Sequence, residues 1–181
     1  MNKIYLDMDG VVADWRSNAR KLVGYDNFNP DQHYSDSDWE LIKGDGRIFT
    51  RLPLMPRANE LVNIARKYRD KLGWELYFLT AVPHNNDVPW AFHDKAEWAR
   101  LHFTDIPVHF GPYSEDKYLQ CRPGYILVDD RVTNCDAWRA HGGIAIKVGL
   151  TLASAIEELS DDYASRETNA LYVRRLLVET L

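Results

Sequence analysis

Five short runs of the chain are almost continuously apolar: residues 4–7, 75–80, 106–110, 125–129 and 144–148. Runs of that length without polar alternation suit strands covered on both faces, as in parallel sheets. Between them apolar residues recur at helical spacing. Residues 57–71 put Leu61, Ile64, Ala65 and Tyr68 on one stripe, with Gly73 as a stop. Helices are also expected over 94–103, with Trp98 as a core residue, and over 134–141, ahead of Gly142-Gly143. Two more are expected over 151–159 and 165–179. This alternation predicts an α/β fold. Its centre is a Rossmann-like parallel sheet of about five strands flanked by helices, in a single domain over 1–181.

The alternation breaks between Val12 and Pro56. About forty residues rich in Asp, Asn, Ser, Gly and aromatic side chains stand where one short crossover is expected, and structureless loops of that length are uncommon in compact domains. Short helices fit 14–23 and 37–42. The segment 15–54 therefore reads as a small, mainly helical cap inserted after strand 1, above its end.

That end carries the chemistry. Asp7-Met8-Asp9-Gly10-Val11 follows the first apolar run, and Asp129-Asp130 closes the fourth. In an extended strand Asp7 and Asp9 share a face, and a turn at Gly10 lets them converge on one point. Converging carboxylates need a cation, a shared proton or both. In parallel α/β sheets, sites form at the carboxyl ends of strands.

Bulk properties narrow the field. The hydrophobic fraction of 45% and the charged fraction of 27% are those of a globular protein, and the net charge of −5 speaks against a long nucleic-acid partner. No apolar run is long enough for a membrane span, and the first residues run directly into a strand rather than a signal peptide, so a cytoplasmic location is expected. Cys121 and Cys135 are too few for a disulfide framework, and the histidines show no zinc spacing.

Four features now stand in order: Asp7/Asp9, Thr80 closing strand 2, Lys117 before strand 4, and Asp129-Asp130. This order resembles the haloacid dehalogenase (HAD) superfamily of phosphotransferases. Asp7-Met8-Asp9-Gly10-Val11-Val12-Ala13-Asp14-Trp15 looks like the opening of its 5′(3′)-deoxyribonucleotidases. Phe49-Thr50-Arg51-Leu52-Pro53-Leu54-Met55-Pro56 is similar to that family's return from cap to core, and Leu79-Thr80-Ala81-Val82-Pro83 with Lys95-Ala96-Glu97-Trp98 to its second-motif region. Asp129-Asp130-Arg131 matches its last motif.

The resemblance implies a Mg²⁺-dependent phosphomonoesterase acting on (deoxy)ribonucleoside monophosphates through an aspartyl-phosphate. Asp7 would be the nucleophile. Asp9 would be the general acid and then base, with its proton held by surrounding negative charge. Thr80 and the Ala81 N–H would bind phosphate, and Lys117 would neutralise it and orient Asp7. Mg²⁺ would be held by Asp7, the Asp9 carbonyl and Asp129, with Asp130 holding a metal-bound water; the sequence does not separate Asp129 from Asp130 as the direct ligand. Trp15 and Phe49 are candidate stacking surfaces for a base, and His84 and Asn85 candidate sugar or base contacts. The partner is a small phosphate monoester; oligomeric state is not legible.

Two alternatives share the scaffold: a HAD phosphatase for another small ester, such as a sugar phosphate, and a non-catalytic phosphate-binding protein. A receiver domain also sets Asp, Thr and Lys at strand ends. It normally carries its phosphoacceptor on strand 3, however, and residues 106–110 contain no Asp.

Overall fold

A computed structural model describes residues 1–84 and 88–179. In chain order the elements are β1 (Lys3–Leu6), α1 (Trp15–Val23), α2 (Asp36–Asp45), α3 (Ile48–Arg51), α4 (Ala58–Leu72), β2 (Glu75–Thr80) and α5 (Ala91–His102). They continue with β3 (Val108–Phe110), a 3₁₀ helix (Ser114–Gln120), β4 (Ile126–Asp129), α6 (Val132–Ala140), β5 (Ile144–Lys147) and α7 (Ala153–Glu179).

The five strands form one sheet in the order β3-β2-β1-β4-β5, and every pairing is parallel. The chain leaves β1 for β2 and β3 on one side, then starts β4 against the other edge of β1. The strand order therefore reverses beside β1, and the crevice at the carboxyl ends there is where such sheets bind ligands.

Both faces of the sheet are buried, which is why the strands read as continuous apolar runs. Ile4, Leu6, Phe78, Ile126, Val128 and Ile146 face the larger core, with Leu61 and Val62 of α4, Trp98 of α5 and Ile156 and Leu159 of α7. Tyr5, Leu79, Leu127 and Ala145 face a smaller core made with Cys121 and with Cys135 and Trp138 of α6. Both cysteines are free and buried.

The two helices expected after residue 150 are one helix, α7. Residues 160–164 are Ser-Asp-Asp-Tyr-Ala, with no glycine or proline to stop it. Its first half packs on α4, where the Tyr68 hydroxyl donates to the Leu159 carbonyl at 3.0 Å and to Asp162 at 2.7 Å. The expected third strand begins two residues late, at Val108, because Ile106 closes a turn on Phe103. Among the described residues no helix is long and apolar enough to cross a membrane.

Residues 15–51 carry α1, α2 and α3. The backbone leading into and out of this segment is paired side by side, with Asp14 N–H bonded to the Pro53 carbonyl at 2.8 Å and Met55 N–H to that of Val12 at 2.9 Å. Ile42, Ile48 and Phe49 join the larger core, and the Trp98 indole donates to the Leu52 carbonyl at 2.7 Å. The segment is thus anchored at its base by apolar burial and by paired backbone.

Candidate active site

The chain coils immediately past β1. The N–H groups of Val11, Val12 and Ala13 all point at the Met8 carbonyl, at 3.2, 2.9 and 2.8 Å. Gly10 takes a φ of +77°, open to glycine and strained for other residues. Space demands glycine as well, since a Cβ there would lie 2.1 Å from Asp130 Oδ2. Gly10 is what lets the Asp130 carboxylate approach the end of β1.

Asp7 is buried, and its Oδ1 accepts from its neighbour's N–H (Met8, 2.7 Å) and from Lys117 Nζ (2.8 Å). Its second oxygen keeps no such bond among the described residues. Lys117, delivered by the 3₁₀ helix, also reaches Asp129 Oδ2 at 2.7 Å. Candidate ligand oxygens of Asp7, Asp129 and Asp130 lie within 4.8 Å of one another.

Three carboxylates facing one ammonium in a buried site set the electrostatics. Burial, above all, raises the pKa of Asp7 to about 7; Lys117 opposes the rise, and Asp129 and Asp9 add to it. Burial, followed by Asp129 and Asp7, pushes Asp130 well above the usual carboxylate range. Burial alone would lower Lys117, but Asp129 and Asp7 outweigh it and hold the ammonium above its ordinary value. Such a site is short of positive charge.

The expected division between Asp129 and Asp130 does not fit the geometry. Asp129 is fully buried and both its oxygens are taken. Oδ1 accepts from Arg131 N–H at 2.9 Å and from Asn134 Nδ2 at 3.0 Å, and Oδ2 accepts from Lys117. Asp130 carries no such bonds among the described residues and lines the cavity, which Asp129 does not. That leaves Asp130 as the carboxylate facing the cavity with its oxygens free of such bonds, while Asp129 holds Lys117 in place. These are consecutive residues at the end of β4, and only the tertiary structure shows which of them the cavity receives.

Asp9 has the opposite neighbour from that expected. Instead of a crowd of negative charge, Lys95 Nζ stands 2.6 Å from its Oδ2. The same ammonium donates to Thr80 Oγ1 at 3.2 Å and to the Ala81 carbonyl at 2.6 Å, tying the end of β2 to the turn after β1. From the sequence Lys95 entered only as part of the stretch Lys95-Ala96-Glu97-Trp98 and was given no role. The signal was there: with Ala91 and Trp98 it falls on the buried stripe of α5, where an unpartnered lysine is costly. Asn134 was missed too, being a polar residue on a short helix with no sequence pattern attached.

A cavity of about 740 Å³ opens over these groups, lined on one side by Asp7, Asp9, Thr80, Ala81, Lys95, Lys117 and Asp130, and on the other by residues of 14–39. Trp15 and Phe49 both line it, but they stack on each other at 5.1 Å, and Phe49 is only 2% exposed, with Lys95 Nζ 4.8 Å from its ring. Phe49 thus has no open face for a base, which corrects the expectation for it. Trp15 is half-buried, beside Tyr34 and Trp39. His84 lies on the rim, stacked on Tyr113 at 4.3 Å and paired with Glu115 at 2.9 Å. Asn85 lies outside the described residues. A second grouping of potential ligands, His93, Asp94 and Glu97, is bridged by Arg47, 3.0 Å from Asp94 and 3.1 Å from Glu97.

No family model matches the chain, and no curated protein matches it. Among solved structures, it is similar to a HAD hydrolase, family IA, variant 3, from Entamoeba histolytica HM-1:IMSS, at 12% identity over 83% of this chain and 85% of that one, with a TM-score of 0.48. It is also similar to a candidate β-phosphoglucomutase from Thermotoga maritima, at 14% identity over 87% and 99%, with a TM-score of 0.46. A hydrolase from Pseudomonas syringae matches at 12% identity over 87% and 99%, with a TM-score of 0.43. Likeness this distant assigns neither substrate nor residue roles to this chain, which rest on its own side chains.

Proposed function

We propose that the chain is a Mg²⁺-dependent phosphomonoesterase of the HAD type that hydrolyses nucleoside monophosphates. The observation that carries the reading is Asp7: one oxygen is pinned by Met8 N–H and Lys117, and the other is left for attack at the floor of a cavity.

The donor set fits the metal. All the candidate ligands are oxygens, the carboxylates outnumber the one ammonium among them, and Mg²⁺ favours such hard ligands. Asp7, Asp130 and the Asp9 carbonyl would hold it, and bound there it would draw negative charge off the phosphoryl oxygens.

The chain's own groups do the rest. Asp7 Oδ2 attacks phosphorus as the bond to the leaving oxygen breaks, and the Asp9–Lys95 pair, joined by one hydrogen bond of 2.6 Å, passes a proton through Asp9 to that oxygen. In the second half Asp9 takes a proton from water as the water oxygen attacks phosphorus. The bond between phosphorus and the Asp7 oxygen breaks, freeing phosphate. Lys95 holds Asp9 for both transfers. Thr80 Oγ1 accepts from Lys95, which leaves its own O–H to donate to a phosphoryl oxygen. Lys117 keeps Asp7 oriented and supplies fixed positive charge where charge builds.

The leaving group is read from the cavity. Its volume far exceeds a phosphate and lies in the range of small-molecule sites. Trp15, Tyr34 and Trp39 supply aromatic wall for a base.

The test is phosphate release from 5′- and 3′-dNMPs, NMPs and sugar phosphates, with Mg²⁺ or EDTA, for wild type and Asp7→Asn. Mg²⁺-dependent release favouring nucleotides and lost in Asp7→Asn is expected. Release that prefers sugar phosphates would sink the nucleotide assignment and keep the mechanism. Release that persists in Asp7→Asn would sink the mechanism.

A further inference from the structure

We infer that Asp31 is a positioning residue: it clamps the wall of the cavity onto the helix that follows Asp129-Asp130. α6 has no side-chain cap of its own, since its N-cap residue, Arg131, makes no side-chain bond to the first turn. The cap comes from 101 residues away. Asp31 Oδ2 accepts from Val132 N–H at 2.8 Å, and Oδ1 accepts from Thr133 N–H at 3.1 Å and from the Thr133 hydroxyl. Arg131 Nε lies 3.6 Å from the same carboxylate. The bonds from Thr133 and Val132 hold the Asp31 pKa below its ordinary value, against the effect of burial, the largest single influence. A carboxylate at a helix N-terminus satisfies free N–H groups and meets the positive end of the helix dipole.

The segment that Asp31 belongs to is otherwise bonded to itself and to the neighbouring α1 and α2, where Arg20 pairs with Asp26 and the Tyr25 hydroxyl donates to Asp38. Asn27 Nδ2 donates to the Gln32 carbonyl at 3.0 Å, Asn29 N–H to Asn27 Oδ1 at 3.1 Å and Asp31 N–H to Asn29 Oδ1 at 3.1 Å. Among the described residues, its hydrogen bonds to the α/β core all run through Asp31. Asn27, Phe28, Pro30, Gln32, His33 and Tyr34 of this segment line the cavity. Closing the wall and fixing the start of α6 are therefore one event. The same carboxylate aligns the wall with Arg131, a cavity residue adjoining Asp130. When the clamp opens, the wall parts from the acidic cluster, and a substrate gripped by both loses half its site. Apparent affinity then falls with the closed fraction.

The consequence for turnover rests on the phosphatase reading; the clamp itself does not. The experiment pairs hydrogen exchange with steady-state kinetics for wild type, Asp31→Asn and Asp31→Glu. Asp31→Asn turns an amide donor toward backbone donors. It is expected to speed exchange of amides 25–35 and 132–134 about tenfold or more, with little change elsewhere. It is also expected to raise KM about tenfold with a smaller effect on kcat, and Asp31→Glu should recover part of both. Unchanged exchange in the segment would overturn the clamp. Faster exchange with unchanged KM would reduce it to a structural cap and overturn the positioning role. A wild type that hydrolyses none of the esters would sink the phosphatase reading, and the exchange result would still decide the clamp.

Discussion

Gly10→Ala separates backbone strain from active-site geometry. Two costs are legible in the structure. The φ of +77° costs a residue with a Cβ about 1–2 kcal/mol. In a chain of this size that lowers Tm by about 2–8 °C. The second cost is steric. The added methyl would lie 2.8 Å from Asp130 Cγ and 2.1 Å from Asp130 Oδ2, the latter more than an ångström inside ordinary contact. The side chain with room to move is Asp130, which makes no hydrogen bond among the described residues and faces the cavity. It must swing away from Asp7. Misplacement of a reacting or ligating group by about 1 Å costs about 100-fold in rate. We therefore expect kcat/KM to fall about 100-fold, with a higher Mg²⁺ requirement, while the protein stays folded. Gly73→Ala is the matched control: its φ is +72°, and nothing lies within 4 Å of its would-be Cβ, so it carries the strain without the clash. The assay is thermal unfolding beside Mg²⁺-dependent phosphate release for both variants. Equal activity in Gly10→Ala and Gly73→Ala, at similar Tm, would refute the reasoning.

Three other outcomes follow from the same geometry. Lys95→Met leaves Asp9 unpaired and unties Thr80 from it; kcat should drop about 100-fold with little change in KM, and a wild-type kcat would rule out Lys95 as the residue that holds Asp9. Asp130→Asn should raise the Mg²⁺ concentration for half-maximal activity at least about tenfold with Tm nearly unchanged, whereas Asp129→Asn, which strips Lys117 of a buried partner, should cost about 3–5 kcal/mol of stability. The opposite pattern would return the ligand position to Asp129. Because the folded-state pKa of Asp7 is raised, to about 7, the folded chain holds that proton more tightly than the unfolded one between about pH 4 and 7. Its contribution to stability is present at low pH and lost as pH rises through that window. A divalent cation that binds the ionised form should then raise Tm more at pH 8 than at pH 5.5, and an equal rise at both would contradict the assignment.

The contrast between what was legible and what was not follows from the range of the interactions. Strand runs such as Ile126-Leu127-Val128 were readable because burial on both faces of a parallel sheet demands an unbroken apolar stretch, a property of neighbouring residues. The Asp7/Asp9 pair and Asp129-Asp130 were readable because carboxylates ending apolar runs have few structural uses. Lys117 was readable only from its order among the other motifs. Lys95 was quoted within a motif stretch but its role lay hidden, because it depends on Asp9, which lies 86 residues away and meets it only when α5 packs under the turn after β1. The assignment between Asp129 and Asp130 turned on which carboxylate the end of β4 aims at Gly10. The loss of Phe49 as a stacking surface turned on Trp15 and Lys95 covering it. Asp31 looked like a loop aspartate and became a helix cap only once residues 24–35 folded back over α6. Periodicity and local chemistry thus determined the sheet, the run of its strands and the acidic end of β1. Which side chains meet there, and which oxygens stay free, is set by contacts between residues far apart in the chain, whose geometry exists only once the strands are in register and the helices packed on them.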